Sequence, residues 1–273
     1  TRANTIATTN GLKEDIEFAK LMNDVGFVQI SFGIESGNEE INSAMQKGVT
    51  LDHYRRAYDI LDKVGVEERR GSFIIGHPNE TEQSIRDSIN FSLELNIHRA
   101  SVNIMTPYPG TKVYDQARQG QGLYFENGAT DFSNFRRWGN SVVSTDELTP
   151  DALQYWHKRF LAEAYSSSTS LKHSTKEFIS GNRSHFFHRP VIKGIRDRWD
   201  LIRKGEWQTP PKFAKPDHSD YNSDDWGAAH ITKTDCLNAF KTLYDIRNRK
   251  FREKSSDPTR AVPEQSPEVT DLH

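Results

Sequence analysis

The 273-residue chain carries 36 basic and 38 acidic side chains, so its formal net charge is −2 and no overall field attracts nucleic acid or an anionic membrane. No run approaches the ~20 apolar residues of a membrane-spanning helix. The single cysteine, Cys236, predicts a reducing, cytoplasmic setting and excludes a disulfide framework or a metal site built from several cysteines of this chain.

Helical and strand patterns alternate along the first 118 residues, at roughly 30 residues per unit. Thr50 and Thr81 predict helix N-caps, while Gly26 and Gly65 predict helix ends. The predicted helices cover 11–25, 38–45, 50–64, 81–93 and 111–118, and the predicted strands cover 28–35, 70–75 and 100–105. This alternation predicts right-handed βαβ units and an α/β fold, whose parallel strands are covered on both faces.

The character of the chain changes near residue 120, where glycines indicate loops. Thr149-Pro150-Asp151 predicts the start of a further helix. Prolines and acids over 208–227 predict an extended segment, and a last helix is expected over 232–250. We therefore predict an α/β domain over 1–120, a mainly helical extension over 121–250 and a disordered tail over 251–273.

A carboxylate, Glu35, stands where the first predicted strand ends, followed by Ser36 and Gly37. The carboxyl ends of parallel strands carry the chemistry of barrel enzymes. A buried carboxylate is costly unless it has a partner. Glu35 is therefore either part of a site or a structural group that caps the next helix or pairs with a basic neighbour.

Four segments in order resemble the radical S-adenosylmethionine (SAM) superfamily: residues 33–37, Lys47-Gly48, residues 72–81 and residues 106–111. Their spacing resembles the later strands of its partial (β/α)6 barrel. The proline-rich last segment resembles the branch with an N-terminal cobalamin-binding domain, which includes the anaerobic magnesium-protoporphyrin ester cyclase type. The resemblance implies the C-terminal half of a partial (β/α)6 TIM-type barrel, followed by a mostly α-helical extension.

The same resemblance implies a SAM-binding site. Glu35 would accept hydrogen bonds from the ribose hydroxyls, Lys47 would face the SAM carboxylate, and Ser72 would be a second ribose-facing position. The pocket would be shaped by Gly76 and by the turn Pro107, Tyr108, Pro109 and Gly110, and Arg2 would face the active site. Lys47 is otherwise a solvated lysine, Ser72 a core hydroxyl and the turn a rigid connection. His77 departs from the family pattern, which is usually apolar or small there.

Three features of the family are missing. The [4Fe–4S] cluster needs three cysteines, usually spaced Cys-x3-Cys-x2-Cys, and the glycine-glutamate segment and the cobalamin-binding sequence are also absent. We therefore expect a C-terminal fragment, inactive by itself, with cluster ligands in a missing N-terminal segment or domain. The intact enzyme would use SAM, the cluster, an electron donor and, by its branch, cobalamin. It would generate a 5′-deoxyadenosyl radical for C–H activation, methylation or cyclisation of a small-molecule substrate.

Two other functions stay open. The basic and aromatic stretch 183–204 could bind RNA in a tRNA-modifying radical SAM enzyme, although a solvated amphipathic helix is favoured and nucleic acid is not the expected partner. The second of these functions is that of a non-catalytic barrel remnant that serves as a binding subunit. His185 and His188 lack a third ligand nearby, so the sequence predicts no metal site there.

Overall fold

Three parallel strands form the centre of the fold in the computed structural model of the protein. The structure describes residues 13–126, 129, 134–135, 141–179 and 185–222, all within a unit formed by residues 1–227. Arg2, the helix expected over 232–250 and the disordered tail expected over 251–273 lie outside the described residues. So does the second unit, residues 228–273.

Eight helices and five strands make up the described part of the chain. In order they are α1 (Lys13–Asp24), β1 (Gln29–Glu35), α2 (Glu39–Ala44), α3 (Leu51–Lys63), β2 (Glu68–Ile75), α4 (Glu82–Glu94), β3 (Arg99–Ile104), α5 (Lys112–Gln119), β4 (Leu123–Phe125), β5 (Val143–Thr145), α6 (Pro150–Tyr165), α7 (Ser168–Ile179) and α8 (His185–Arg203). None of these helices has the length and apolar character of a membrane span. The prediction of an α/β fold with a parallel sheet is confirmed.

Local side-chain chemistry begins the main helices. Thr50, Thr81 and Thr149 accept hydrogen bonds from the backbone amides three residues ahead, so the predicted caps are confirmed. Gly26 and Gly65 follow α1 and α3 with φ of 100° and 77°, a region in which glycine avoids a Cβ clash. Helix ends that depend on such local bonds are visible in the sequence.

The central sheet has the order β1-β2-β3 and buries only one face of β1. Ile30, Phe32 and Ile34 lie in the core, whereas Gln29 and Ser31 are exposed. The prediction that both faces of this strand are covered is therefore wrong for the described residues.

Helix α6 closes the buried side of the sheet. Leu153, Trp156 and Phe160 of this helix are fully buried in the same core as the strands, and the rings of Phe160 and Phe73 lie 5.0 Å apart. The small antiparallel sheet of β4 and β5 has a separate apolar cluster that includes Leu123 and Val143. The extension thus contributes directly to the core that supports the strand ends.

Candidate functional site

The carboxyl end of β1 holds Glu35 in an unusual backbone conformation. Its φ is 70°, in the left-handed region that a residue with a Cβ rarely adopts. The pairing of β1 with β2 shifts register between Gly33 and Glu35, which re-aims the side chain at the strand end. Strained positions of this kind concentrate at ligand sites, because the surrounding structure must hold them.

Lys47 reaches back from beyond α2 to this strand end. Its Nζ lies 3.0 Å from Oε1 of Glu35 and also donates to the Gly33 carbonyl, which accepts a second bond of 2.8 Å from the Tyr54 hydroxyl. The side chains of Lys47 and Glu35 are 26% and 23% exposed. Lys47 is therefore a positioned ammonium, not a freely solvated one, and the pair stays open to a ligand.

Gly33 leaves the space that this arrangement needs. A Cβ at this position would lie 2.5 Å from Oε1 of Glu35 and 3.4 Å from Nζ of Lys47. Because residue 33 is glycine, the Glu35 carboxylate and the Lys47 ammonium can approach the backbone of β1 more closely than they could beside a residue with a Cβ.

A turn held by a buried carboxylate follows β2. Glu80 accepts hydrogen bonds from the amides of Gly76 and His77 and, at 3.3 Å, from the Ser84 hydroxyl, while Thr145 donates to its backbone carbonyl at 3.1 Å. Burial raises the pKa of Glu80 to about 7, against the opposing effect of these bonds. Gly76 has φ of 83°, so the turn depends on a residue without a Cβ.

His77 of this turn is only 5% exposed, and its Nε2 has no hydrogen-bond partner among the described residues. Burial, together with the charge of Lys47, lowers the pKa of His77 to about 4, and a bond to the Ile74 backbone opposes this shift. The sequence flagged His77 only as a departure from the family pattern. Its burial follows from tertiary packing and has no local signal.

The remaining predicted residues lie at different depths of the sheet. Ser72 pairs in register with Gly33 and Ser101, and it lines a pocket of about 240 Å³ with Ser31, Arg70 and other residues of the three strands. The turn over 107–110 follows β3, the third parallel strand, so it lies at the same edge as Glu35. Pro107 is buried, whereas Tyr108, Pro109 and Gly110 are exposed. Arg2 lies outside the described residues.

The strand-end groups fit SAM as a ligand but not an iron–sulfur cluster. Glu35 offers an acceptor for a diol, Lys47 offers a cation for a carboxylate, and the orphaned Nε2 of His77 is a further acceptor without a donor. A [4Fe–4S] cluster needs cysteine thiolates. The described residues contain no cysteine, and the whole chain has one. This chain therefore does not supply a cluster site.

A second buried group of ionisable side chains lies at the opposite ends of the strands. Arg99 on β3 bonds Glu68 on β2 at 2.9 Å and Glu177 on α7 at 2.5 Å. Nε2 of His173 lies 3.4 and 3.5 Å from the two carboxylates. Burial raises the pKa of Glu68, but hydrogen bonds from His173, Arg70 and Arg99 outweigh it and hold the value at about 2.

Glu68, His173 and Glu177 have side chains of the types that bind metals, and their possible ligand atoms lie within 4.8 Å of one another. Arg99 already supplies a cation to both carboxylates, and Arg70 bonds Glu68 as well. The arrangement is therefore a charge-compensated network that joins α7 to the sheet. No short sequence pattern indicates this network, because its members are up to 109 positions apart, from Glu68 to Glu177.

Comparison with known proteins adds the family. Residues 2–92 match the model of the Radical SAM superfamily. The chain is 38% identical over 99 residues to an uncharacterized methyltransferase of Pyrococcus horikoshii, covering 36% of this chain and 21% of that protein. It is 24% identical over 207 residues to bacteriochlorophyllide d C-8(2)-methyltransferase of Chlorobaculum tepidum, and this match covers 67% of this chain and 44% of that protein.

A third relative is a tRNA-2-methylthio-N(6)-dimethylallyladenosine synthase of Psychrobacter cryohalolentis, 34% identical over 79 residues, which are 29% of this chain and 16% of that protein. The chain thus spans less than half the length of each of these three relatives. The resemblance stated from the motifs is confirmed. Residues 2–92, one third of this chain, thus match the radical SAM superfamily.

Proposed function

We propose that the chain is the part of a radical SAM enzyme that binds SAM, with β1, β2 and β3 as later strands of a partial (β/α)6 barrel. The observation that carries this proposal is the strand-end pair of Glu35 and Lys47, held by a left-handed backbone and by the Gly33 carbonyl. The order of the strands and their parallel direction support it.

Each group has a role that its chemistry supports. The Glu35 carboxylate accepts from the ribose hydroxyls, and the Lys47 ammonium pairs with the carboxylate of the ligand as a point charge. Gly76 and the turn over 107–110 shape the wall, and Ser72 faces the interior of the barrel. Bound SAM would supply the 5′-deoxyadenosyl group that this class of enzyme uses to activate C–H bonds. The cluster ligands belong outside this chain.

The reaction that we favour is methylation of a small molecule in the cytoplasm, because two of the relatives are named as methyltransferases and the chain has one cysteine. Cobalamin and an electron donor would act with a further N-terminal part of the enzyme. The division into a barrel over 1–120, an extension over 121–250 and a tail over 251–273 belongs to this proposal.

A tRNA-modifying enzyme is the second candidate, because relatives named as tRNA-2-methylthio-N(6)-dimethylallyladenosine synthases match as well. The charges of α8 argue against RNA contact by this helix. Lys193 pairs with Asp197 and Arg203 with Asp200, while Arg198 lies 4.6 Å from the Trp207 ring. Cations that are already compensated release few counterions on binding RNA.

Calorimetric titration of the chain with S-adenosylhomocysteine tests the proposal. Replacing Glu35 by Gln removes a charged acceptor, so we expect the Kd to rise about tenfold or more. Glu67→Gln is the control, because Glu67 is an exposed carboxylate before β2, at the opposite end of the strands. A wild-type chain that does not bind, or an unchanged Kd for Glu35→Gln, would contradict the proposal.

A further inference from the structure

An unpartnered imidazole nitrogen is buried in the turn after β2. His77 is 5% exposed, and its Nε2 bonds no group of the described residues. The large majority of buried side-chain polar atoms have a partner, because losing water without replacement is costly. At the edge of the sheet that holds Glu35, we interpret this exception as a place for a partner supplied by a ligand.

The protonation state decides what kind of partner fits. His77 bonds the Ile74 backbone, and because Nε2 has no partner, Nδ1 makes this bond. Burial and the nearby charge of Lys47 lower the pKa of His77 to about 4, so the ring is neutral at pH 7. With its one hydrogen on Nδ1, the ring presents a bare lone pair at Nε2, which accepts from an N–H or O–H donor.

The position of His77 connects this acceptor with the SAM-binding groups. It follows Gly76 at the carboxyl end of β2, the strand paired with β1 next to Glu35. Lys47, which bonds Glu35, is close enough to affect the imidazole. The positive charge of Lys47 disfavours a second ammonium beside it, so a neutral donor is favoured.

We propose that Nε2 of His77 accepts a hydrogen bond from the nucleoside part of the ligand that Glu35 and Lys47 bind. This inference rests on the proposed function. It makes His77 a binding residue, and it explains why a polar ring occupies a buried position whose other nitrogen alone is satisfied.

Two substitutions of His77 by an amide side chain distinguish the roles of the two ring nitrogens. His77→Asn places its amide near Nδ1 and removes the group at Nε2, whereas His77→Gln extends to the Nε2 position. The full chain and both variants are titrated with S-adenosylhomocysteine and with 5′-methylthioadenosine, which lacks the amino acid end. We expect His77→Asn to weaken both ligands about three- to tenfold, and His77→Gln to restore most of the affinity.

The outcomes distinguish this inference from the proposed function. A wild-type chain that binds neither ligand overturns both. If the wild-type chain binds and His77→Asn binds with the same affinity, the role of Nε2 alone is overturned. The same holds if only His77→Gln loses affinity. The contact with the nucleoside is overturned if His77→Asn loses affinity only for S-adenosylhomocysteine. It is also overturned if 5′-methylthioadenosine does not bind the wild-type chain. The ¹⁵N shift of Nε2, followed by NMR, should move when ligand is added, and a fixed shift contradicts the proposal.

Discussion

At the residue scale, Gly33 controls how the carboxylate of Glu35 meets Lys47. Gly33→Ala would push a Cβ against Oε1 of Glu35, which is the mobile end of a side chain and can move away. We therefore expect a small change in the melting temperature but a fall in affinity for S-adenosylhomocysteine of about tenfold, as for Glu35→Gln. Calorimetric titration and thermal melting together measure the two effects.

Gly65→Ala is the matched control, because it should give the opposite result. Gly65 has φ of 77° and open space around its Cβ position, so alanine meets no neighbour but strains the backbone. The cost is ~1 kcal/mol of stability, with unchanged ligand affinity. If Gly33→Ala lowered stability alone, the space at Gly33 would serve packing and not the site.

The sequence reveals those residues whose role is local. Thr81 is recognisable as an N-cap because its partner is three positions ahead, and Glu35 because a strand ends with it. The side-chain partners of Glu80 are also local, but the burial of Glu80 and His77 depends on distant contacts such as the bond from Thr145 of β5, which no short pattern encodes. Strand-end chemistry was therefore predictable at β1 but only in part at β2.

At the element scale, the network of Glu68, Arg99, His173 and Glu177 ties α7 to β2 and β3. Against the effect of burial, hydrogen bonds from His173, Arg70 and Arg99 hold the folded-state pKa of Glu68 at about 2, below the ordinary value of 4.5. A depressed carboxylate contributes stability above its unfolded pKa and loses it as pH falls through the folded value. We expect about 3 kcal/mol to be lost between pH 5 and pH 2.

Chemical denaturation across this pH range measures the effect. Glu68→Gln should lower the free energy of unfolding at pH 7, because Arg99 and Arg70 lose a buried partner. It should also reduce the fall of stability between pH 5 and pH 2, which is the acid limb of the stability curve. Glu67→Gln, its exposed neighbour, should leave both unchanged. An acid limb that keeps its slope in Glu68→Gln would assign the pH dependence to other carboxylates.

Short elements were harder to predict than long ones. Strands β4 and β5 have three residues each, too few for a period to stand out, and they pair across about 20 positions of chain. Helix α7 is rich in Ser, Thr and Lys, and its buried His173 and Glu177 depend on the sheet. Helix α8, with its longer amphipathic pattern, was predicted within 183–204 and is confirmed.

At the scale of the whole molecule, α6 determines where a folded unit can end. The sequence changes character near residue 120, yet Leu153, Trp156 and Phe160 of α6 are fully buried in the core of the parallel sheet. Removing a buried side chain of this size costs about 2–5 kcal/mol. Three such losses reach the total stability of a typical domain, which is about 5–15 kcal/mol.

A chain that ends at residue 126 should therefore fail to fold cooperatively, although it retains β1, β2 and β3. A chain that ends at residue 222 keeps every described element and should unfold in one cooperative transition. Circular dichroism and binding of a hydrophobic dye distinguish the two results. A cooperative transition for residues 1–126 would support a boundary near 120. Its absence would extend the unit that carries Glu35 and Lys47 through α6, so that the extension supports the proposed ligand site through the core of the sheet.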